Sequence, residues 1–534
     1  EEDDEEELDP DRRLLVWAPS GRFHFEPEWS VNIPHPIEAS RGQEGAGDAY
    51  SPGWFELPLA SGGESMVIGT AEPGEPDAGA ISTALGRRSL HLREALDRAK
   101  VPVTDPFARQ LVLAAQAYVV RRDDTRTVIA GYPWFLDWGR DSLIAARGLL
   151  AAGMRDTVRD LLVTFGRFEK DGTLPNSIHG GDASNRDTTD APLWYGVVAE
   201  DLAALEPGPG PDGPSHSPVY SLAVDSAGRT VAAVLRSIAC GYLQGTPNGI
   251  RVDAASGLVW SPSHFTWMDT NYPAGTPREG YPVEIQVLWI RLLRQLARLG
   301  AEPWEGRGES WGDLAKRAEE CFHHYFWVEE CGWYSDVLPA SRGTPARIVP
   351  PGNALRSNCL WVVALGLDRH PQFLQRSRRM LTAAAQHLVV PGALRSLAPL
   401  PVVPSLPVYS NHGGLLNDPD HPYWPRYEGD EDTRRKPAYH NGTAWTWTFP
   451  AFCEAMVRAY PGDSRAWAAA RAYLGSCDRL LAEECLGQLP EILDGDAPHT
   501  PRGCDAQAWS VTEALRVWRL LEAQTPRQPA TTSR

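Results

Sequence analysis

Apolar residues recur at helical spacing through most of the chain, and alternate in short runs only near its start. From Leu14 to about Thr70, stretches such as LLVWAP and SMVIGTA are separated by Pro- and Gly-bearing turns, which predicts part of a small β-sandwich. Residues 71–80 (AEPGEPDAGA) read as a linker. From about Ser89 the period changes. LHLREALDRA, PFARQLVLAAQAYVVRR, SLIAARGLLAAG and RDTVRDLLVTFGRF place apolar residues three and four apart. The pattern returns in APLWYGVVAEDLAAL, SLAVDSAGRTVAAVLRSIACGYL, YPVEIQVLWIRLLRQLARLG, WGDLAKRAEECFHHYFW, NALRSNCLWVVALGL, QRSRRMLTAAAQHLV, SRAWAAARAYLGSCDRLLAEEC and AQAWSVTEALRVWRLLEA.

Roughly a dozen helices therefore follow one another without a strand run of any length. Six antiparallel pairs closed into a ring accommodate that succession. A helical-repeat solenoid is the alternative, but no fixed repeat is found. The expected organisation is mainly α. Residues 1–80 form a partial, truncated N-terminal β-sandwich domain with its linker, 81–525 an (α/α)6 barrel (six-hairpin toroid), and 526–534 a disordered tail.

Composition narrows the partners. Hydrophobic residues make up 42% of the 534, enough for a sizeable core. Acidic side chains outnumber basic ones 69 to 51, and the net charge of -18 repels polyanions, which argues against nucleic acid and anionic membranes. Eight cysteines lie scattered, with no CxxC pair and no zinc spacing, as in the reduced thiols of a cytoplasmic protein. No signal peptide and no membrane-spanning run is recognised, although the chain opens on Glu1 rather than Met. Twenty tryptophans are many, and several fall in polar loops, where an indole face suits the C–H face of a sugar.

Long polar loops at 169–190, 248–280, 386–440 and 486–504 hold most of the unusual residues. The first candidate segment, GYPWFLDWGRDS, sets Trp134, Asp137, Trp138, Arg140 and Asp141 just before a helix. An Arg beside an Asp offers a donor fork next to an acceptor, as two sugar hydroxyls require. Equally, Asp141 caps the helix and Arg140 pairs with Asp137. A second segment ends in Asp190, a natural helix cap, and Trp194. In SPSHFTWMDTNYPAGTPREGYPVEIQVLW, Asp269 follows an apolar run beside Trp267, and apolar surroundings raise a carboxyl pKa as a general acid requires. Arg278 and Glu284 follow, Glu284 at a position that a helix dipole alone would favour. In PEILDGDAPHTPRG, Glu491 precedes Asp494, Asp496 and His499. This turn lacks the EF-hand pattern and closing Glu of a calcium loop. GxxxxGK[ST] and HExxH are absent. Carboxylates with aromatic platforms remain, which is the equipment of glycoside hydrolysis.

These segments, YPWFLDWGRDS, DAPLWY, FTWMDTNY with TPREGYPVEIQVLW, YHNGTAWTW and PEILDGDAPHTPRGCDAQAWS, closely resemble the glucosidase domain of glycogen debranching enzymes, across roughly residues 90–520. FEPEWSVNIPHPIEASRGQEGAGDAYSPGWFELPL is similar to the family's N-terminal β domain. The resemblance implies an (α/α)6 barrel as in glucoamylases, and amylo-α-1,6-glucosidase activity with inversion. It matches Asp269 to the general acid and Glu491 to the general base. Arg140 and Asp141 match the pair that holds the terminal glucose, and Trp134, Trp138 and Trp267 the pocket lining. Asp137, Asp190, Trp194, Arg278, Glu284, His440, Trp445, Asp494 and His499 fall in the matching motifs as further substrate-binding candidates.

The implied substrate is a branched α-glucan or malto-oligosaccharide, with no metal and no cofactor. TAWTW, PEILDGD and a long 395–436 loop depart from the family pattern and bear on outer subsites. Residues outside the helical region are too few for the transferase barrel of eukaryotic debranching enzymes, so glucosidase activity alone is expected. Rival readings keep the toroid with a glucoamylase, trehalase or oligosaccharide-glucosidase substrate, or keep a glucan-binding pocket without catalysis, or a helical scaffold without a sugar.

Overall fold

A computed structural model of the chain describes residues 14–40, 44–71, 83–210, 212–270, 275–302, 308–367 and 371–522, with single positions 74 and 79. The acidic opening run, most of the 71–80 linker and the 526–534 tail lie outside the described residues. The chain divides into two compact units, Glu1–Glu94 and Ala95–Arg534.

In the first unit, β1 (Leu15–Trp17), β2 (Arg22–Pro34), β3 (Ala46–Glu56) and β4 (Ile68–Thr70) form two antiparallel pairs, β1 with β4 and β2 with β3. The β2–β3 ribbon sets Phe23 opposite Phe55, His24 against Trp54 and Trp29 against Tyr50. Among the described residues these are separate two-stranded pairs, not the two packed sheets expected of a sandwich. The burial pattern agrees, since Ala18 is the one buried apolar residue described before Ser89.

The second unit is helical. Its outer helices are α1 (Pro106–Gln116), α3 (Arg155–Phe168), α5 (Val231–Gln244), α7 (Trp311–Tyr325), α9 (Pro371–His387) and α11 (Ser464–Gly475). Between them run α2 (Gly139–Ala151), α4 (Ala191–Leu205), α6 (Val283–Arg298), α8 (Trp361–Ala364), α10 (Phe449–Ala459) and α12 (Ala508–Glu522). This inner set packs in a closed cycle, each helix on the next and α12 back on α2, with the outer helices laid against it.

Sequence decides which layer a helix joins. Every residue of α2 from Gly139 to Leu150 is buried, its apolar and small residues on all sides and its Arg140, Asp141 and Arg147 enclosed with them. In α3 only one stripe, with Val158, Leu161, Leu162 and Phe165, is buried, while Arg155, Asp156 and Arg167 face water. Caps set the starts: Asp105 accepts the Ala108 N–H, Thr230 that of Ala233 and Ser310 that of Asp313.

Three expected helices are shorter than their patterns. The 221–243 pattern becomes helical only at Val231, because Asp225 accepts the N–H groups of Ala227 and Arg229 in a turn. NALRSNCLWVVALGL yields a 3-10 turn (Ser357–Leu360) and the brief α8, and the 464–485 pattern ends as 3-10 from Ser476. The long loops also pair more than expected. The strands β5 (Val389–Val390), β6 (Ala393–Arg395), β7 (Ala444–Trp445), β8 (Ile492–Leu493) and β9 (Pro501–Arg502) form one antiparallel sheet in that order.

Ring closure has a steric condition. A Cβ on Gly148 of α2 would lie 2.0 Å from the Thr512 carbonyl oxygen of α12. Gly148→Ala is therefore expected to push the two helices apart and cost about 1–3 kcal/mol, as overpacking does. Urea denaturation of the variant beside the parent measures it, and equal stability would refute the close approach.

Candidate active site

The loops entering the inner helices converge at one mouth of the ring. Ahead of α2, Gly131–Tyr132 pairs with Ala506–Gln507, and Asp137–Trp138 with Ser177–Ile178. Arg140, in the first turn of α2, is thereby turned inward and is 1% exposed. Its Nε donates to Asp190 Oδ2 at 2.7 Å and its Nη1 to Asp269 Oδ2 at 3.0 Å. The local alternative, Asp137, is engaged elsewhere, accepting from Arg122 at 3.0 Å and from the Ser142 hydroxyl at 3.4 Å. Asp190 occupies the N-cap position of α4, yet its side chain does not cap the helix. It accepts Arg140 on one oxygen and the Thr188 hydroxyl on the other, at 2.8 Å.

Asp141, Asp269 and Glu491 complete the cluster. Burial pushes the Asp141 carboxyl up to about 8, opposed by Arg140 and reinforced by the charges of Asp269 and Glu491. The Asp269 side chain keeps 30% exposure. Burial raises its carboxyl as well, Arg140 pulls it down, and Asp190 adds repulsion. Glu491 stands just before β8. Its Oε2 accepts the Cys504 N–H at 3.0 Å and its Oε1 accepts the Tyr439 hydroxyl. Burial nevertheless raises it to about 7, against those two donors and with repulsion from Asp269 added. Gly503 leaves room for that carboxylate: its φ is +67, and a Cβ there would meet Glu491 Oε2 at 2.3 Å.

Arg278 and Glu284 do not offer free groups to a ligand. Arg278 forks onto both Glu284 oxygens at 2.6 Å, reaches Asp336 at 2.8 Å and Thr266 at 2.9 Å, and both residues are 3% exposed. Asp336 accepts Asn358 Nδ2 at 2.8 Å, and Asn358 accepts the Trp267 indole N–H at 2.6 Å. The network thus fixes the segment that delivers Asp269. Trp267 itself is 2% exposed, edge-on to Trp445 at 5.0 Å and Trp447 at 5.1 Å, and packs rather than lining a pocket. Trp445 is likewise buried, its N–H donated to the Tyr439 carbonyl at 2.9 Å. Trp194 lies inside the ring, edge-on to Trp361 at 5.4 Å and beneath Arg147.

Of the aromatic candidates, Trp134 and Trp138 remain half-buried at the mouth. His440 is buried, stacks on Trp445 and hydrogen-bonds Thr270 through Nδ1, and its Nε2 has no partner. Burial, with Arg356 nearby, depresses its pKa well below the usual imidazole value, so it is neutral. Asp494 is held by the Tyr427 N–H at 2.9 Å and by Arg502 at 3.3 Å, with His499 Nδ1 at 3.1 Å from its carbonyl oxygen. It serves the loop, not a ligand. Among the described residues no group of three or more His, Cys, Asp or Glu side chains is placed to hold a metal, and no helix is long and apolar enough to cross a membrane.

Residues 113–516 match the family model described as amylo-alpha-1,6-glucosidase. The chain belongs to that family. Residues 5–66 match the model described as glycogen debranching enzyme N terminal. Among solved structures, the chain is similar to the GH63 mannosylglycerate hydrolase of Thermus thermophilus in complex with Tris, at 16% identity and a TM-score of 0.48, over 77% of this chain and 99% of that one. It is also similar to a glycosidase variant in complex with glucose, at 13% identity and a TM-score of 0.48, over 81% and 98%. Membership in the amylo-alpha-1,6-glucosidase family places the chain with the glycoside hydrolases.

Tyr439, Thr188, Asn358 and Asp336 were not singled out from the sequence, yet their hydrogen bonds hold Glu491, Asp190 and the segment that carries Asp269 in this member of the amylo-alpha-1,6-glucosidase family. Tyr439 stands beside a flagged His440, but nothing local shows that its hydroxyl reaches Glu491. The raised carboxyls also set a stability signature. A carboxyl whose pKa is higher in the folded state stabilises below the unfolded pKa, and that contribution is lost as pH rises to about 8 for Asp141. Asp141→Asn is therefore expected to gain Tm relative to the parent between about pH 4.5 and about pH 8.5. Scanning calorimetry at both pH values tests the sign, and a constant difference would contradict it.

Proposed function

We propose that this chain is an inverting glycosidase that releases glucose from α-1,6 branch points of a glycogen-like or limit-dextrin glucan. The observation that carries the reading is the carboxyl cluster. Asp269, still partly exposed, and Glu491, whose ionised form two donors favour, lie within each other's field at one mouth of the ring. Asp269, protonated, donates to the glycosidic oxygen as the C1–O bond breaks. Glu491, ionised, takes a proton from the water that attacks C1 on the opposite face, so the sugar leaves as the β-anomer. Room for that water requires the two carboxyls to be about 6.5–9.5 Å apart. Arg140 and Asp141 supply the donor fork and the second polar group for the terminal glucose, with Trp134 and Trp138 at its rim. Neither metal nor cofactor enters the chemistry. None of the eight cysteines is joined in a disulfide, which supports a reducing, cytoplasmic setting.

Proton NMR of a singly branched dextrin digest tests linkage and stereochemistry together. β-Glucose from the α-1,6 bond is expected, and α-glucose released first, or preference for α-1,4 or α,α-1,1 bonds, would count against the proposal. Asp269→Asn and Glu491→Gln are each expected to fold like the parent and to lose most turnover. Near-native activity in either removes that residue from its role.

The pH profile gives a finer check. kcat/KM is expected to require Glu491 ionised, a step near pH 7, and Asp269 protonated, burial raising both carboxyls, so that each sets one limb of the profile. Tyr439→Phe removes a donor to the ionised base, so the limb set by Glu491 is expected to move to higher pH. An unmoved limb would show that Tyr439 does not tune the base.

A further inference from the structure

The C-terminal ends of the inner helices surround a second basin, of about 1300 Å3, at the opposite mouth of the ring. Its walls interleave guanidinium forks with carboxylates. Arg291 donates to Glu200 at 2.6 Å and to Asp201 at 2.9 Å, Arg147 to Asp201 at 2.8 Å, and Arg294 to Glu319 at 2.5 Å. Deeper in, Arg516 reaches Glu454 and Glu513, each at 2.7 Å. Leu205, Leu365, Leu367 and Leu520 supply apolar patches between the charged groups.

Charge decides what class of ligand fits. The arginines of the basin are paired with carboxylates, Arg298, Arg458 and Arg519 included. The helix C-termini add partial negative charge. No surplus positive charge remains to hold an anion. What the basin offers is donors beside acceptors over apolar patches, which matches the vicinal hydroxyls and C–H faces of a neutral sugar. Arg147 is 5% exposed, and its Nη1 has no hydrogen-bond partner, the nearest Glu513 oxygen being 3.6 Å away. That nitrogen is closed off from the basin and faces the Glu513 carboxylate, so its charge is compensated from within.

We propose that this basin is a second saccharide site, which holds a linear malto-oligosaccharide segment at the mouth remote from the carboxyl cluster. The preference for a neutral polyol comes from the basin; the choice of a glucan rests on the function proposed above. Bound there, a branched particle stays tethered while one of its branches occupies the catalytic mouth, raising the local concentration of ends.

Calorimetric titration of the full chain with maltohexaose, with excess glucose present to occupy the catalytic mouth, reads the basin by itself. Saturable binding is expected. Leu205→Trp fills the basin from a residue 42% exposed, and Arg294→Gln removes one fork. Each is expected to weaken that binding at least about tenfold while leaving glucose release from a short, singly branched dextrin unchanged. Absence of saturable binding, or equal binding in parent and variants, overturns the proposal. Displacement of maltohexaose by inorganic phosphate also overturns it, in favour of an anion site. If the parent binds maltohexaose through Leu205 but releases no glucose, the catalytic reading fails alone and the basin keeps its assignment.

Discussion

One buried guanidinium, that of Arg140, joins two loops distant in sequence by taking a carboxylate from each. The arrangement is electrostatically lopsided. Asp141, Asp190, Asp269 and Glu491 crowd around the mouth, and Arg140 is the cation in direct contact with Asp190 and Asp269. Desolvation without full compensation is what raises Asp141, Asp269 and Glu491 together. Acid–base catalysis needs that imbalance. A site with a counter-ion for every carboxyl would keep them all ionised near neutral pH, leaving no proton donor.

Behind this layer stands one in which nothing is left over. Glu284, Arg278, Asp336, Asn358 and Trp267 are linked in series, each using its polar atoms on the next. A fully satisfied buried network is rigid, and a partly satisfied one is not. The contrast divides the acidic residues of the mouth into those that hold the frame and those left without full compensation. Asp494 belongs to the frame by the same criterion, since its oxygens are taken by a backbone N–H and by Arg502.

Much of this was legible in the chain, and the illegible remainder has physical causes. Helical periodicity marked the helices of the ring, because burial on one stripe or all round leaves its trace in spacing. The loops carrying Arg140, Asp269 and Glu491 stood out because they gather carboxylates and arginines that an apolar core has no use for. Partner choice was hidden. That Arg140 selects Asp190 and Asp269 over its near neighbour Asp137 depends on Arg122 having claimed Asp137, which no spacing reveals. Burial of Trp194, Trp267 and Trp445 was hidden too. A tryptophan in a polar segment reads as exposed until the cluster that surrounds it has been assembled from several loops. The helix starts at 231 and 361 were displaced by local turns that compete with helical hydrogen bonds.

Closure of the ring between α2 and α12, with Gln507 reaching Asp141 at 3.4 Å, has a consequence for biogenesis. The two halves of the carboxyl cluster are carried by segments that emerge from the ribosome far apart in time. A nascent polypeptide can stack its early hairpins, but it owns no competent pocket until its final helix docks onto its first. Such late, non-local assembly makes the last step slow and all-or-none.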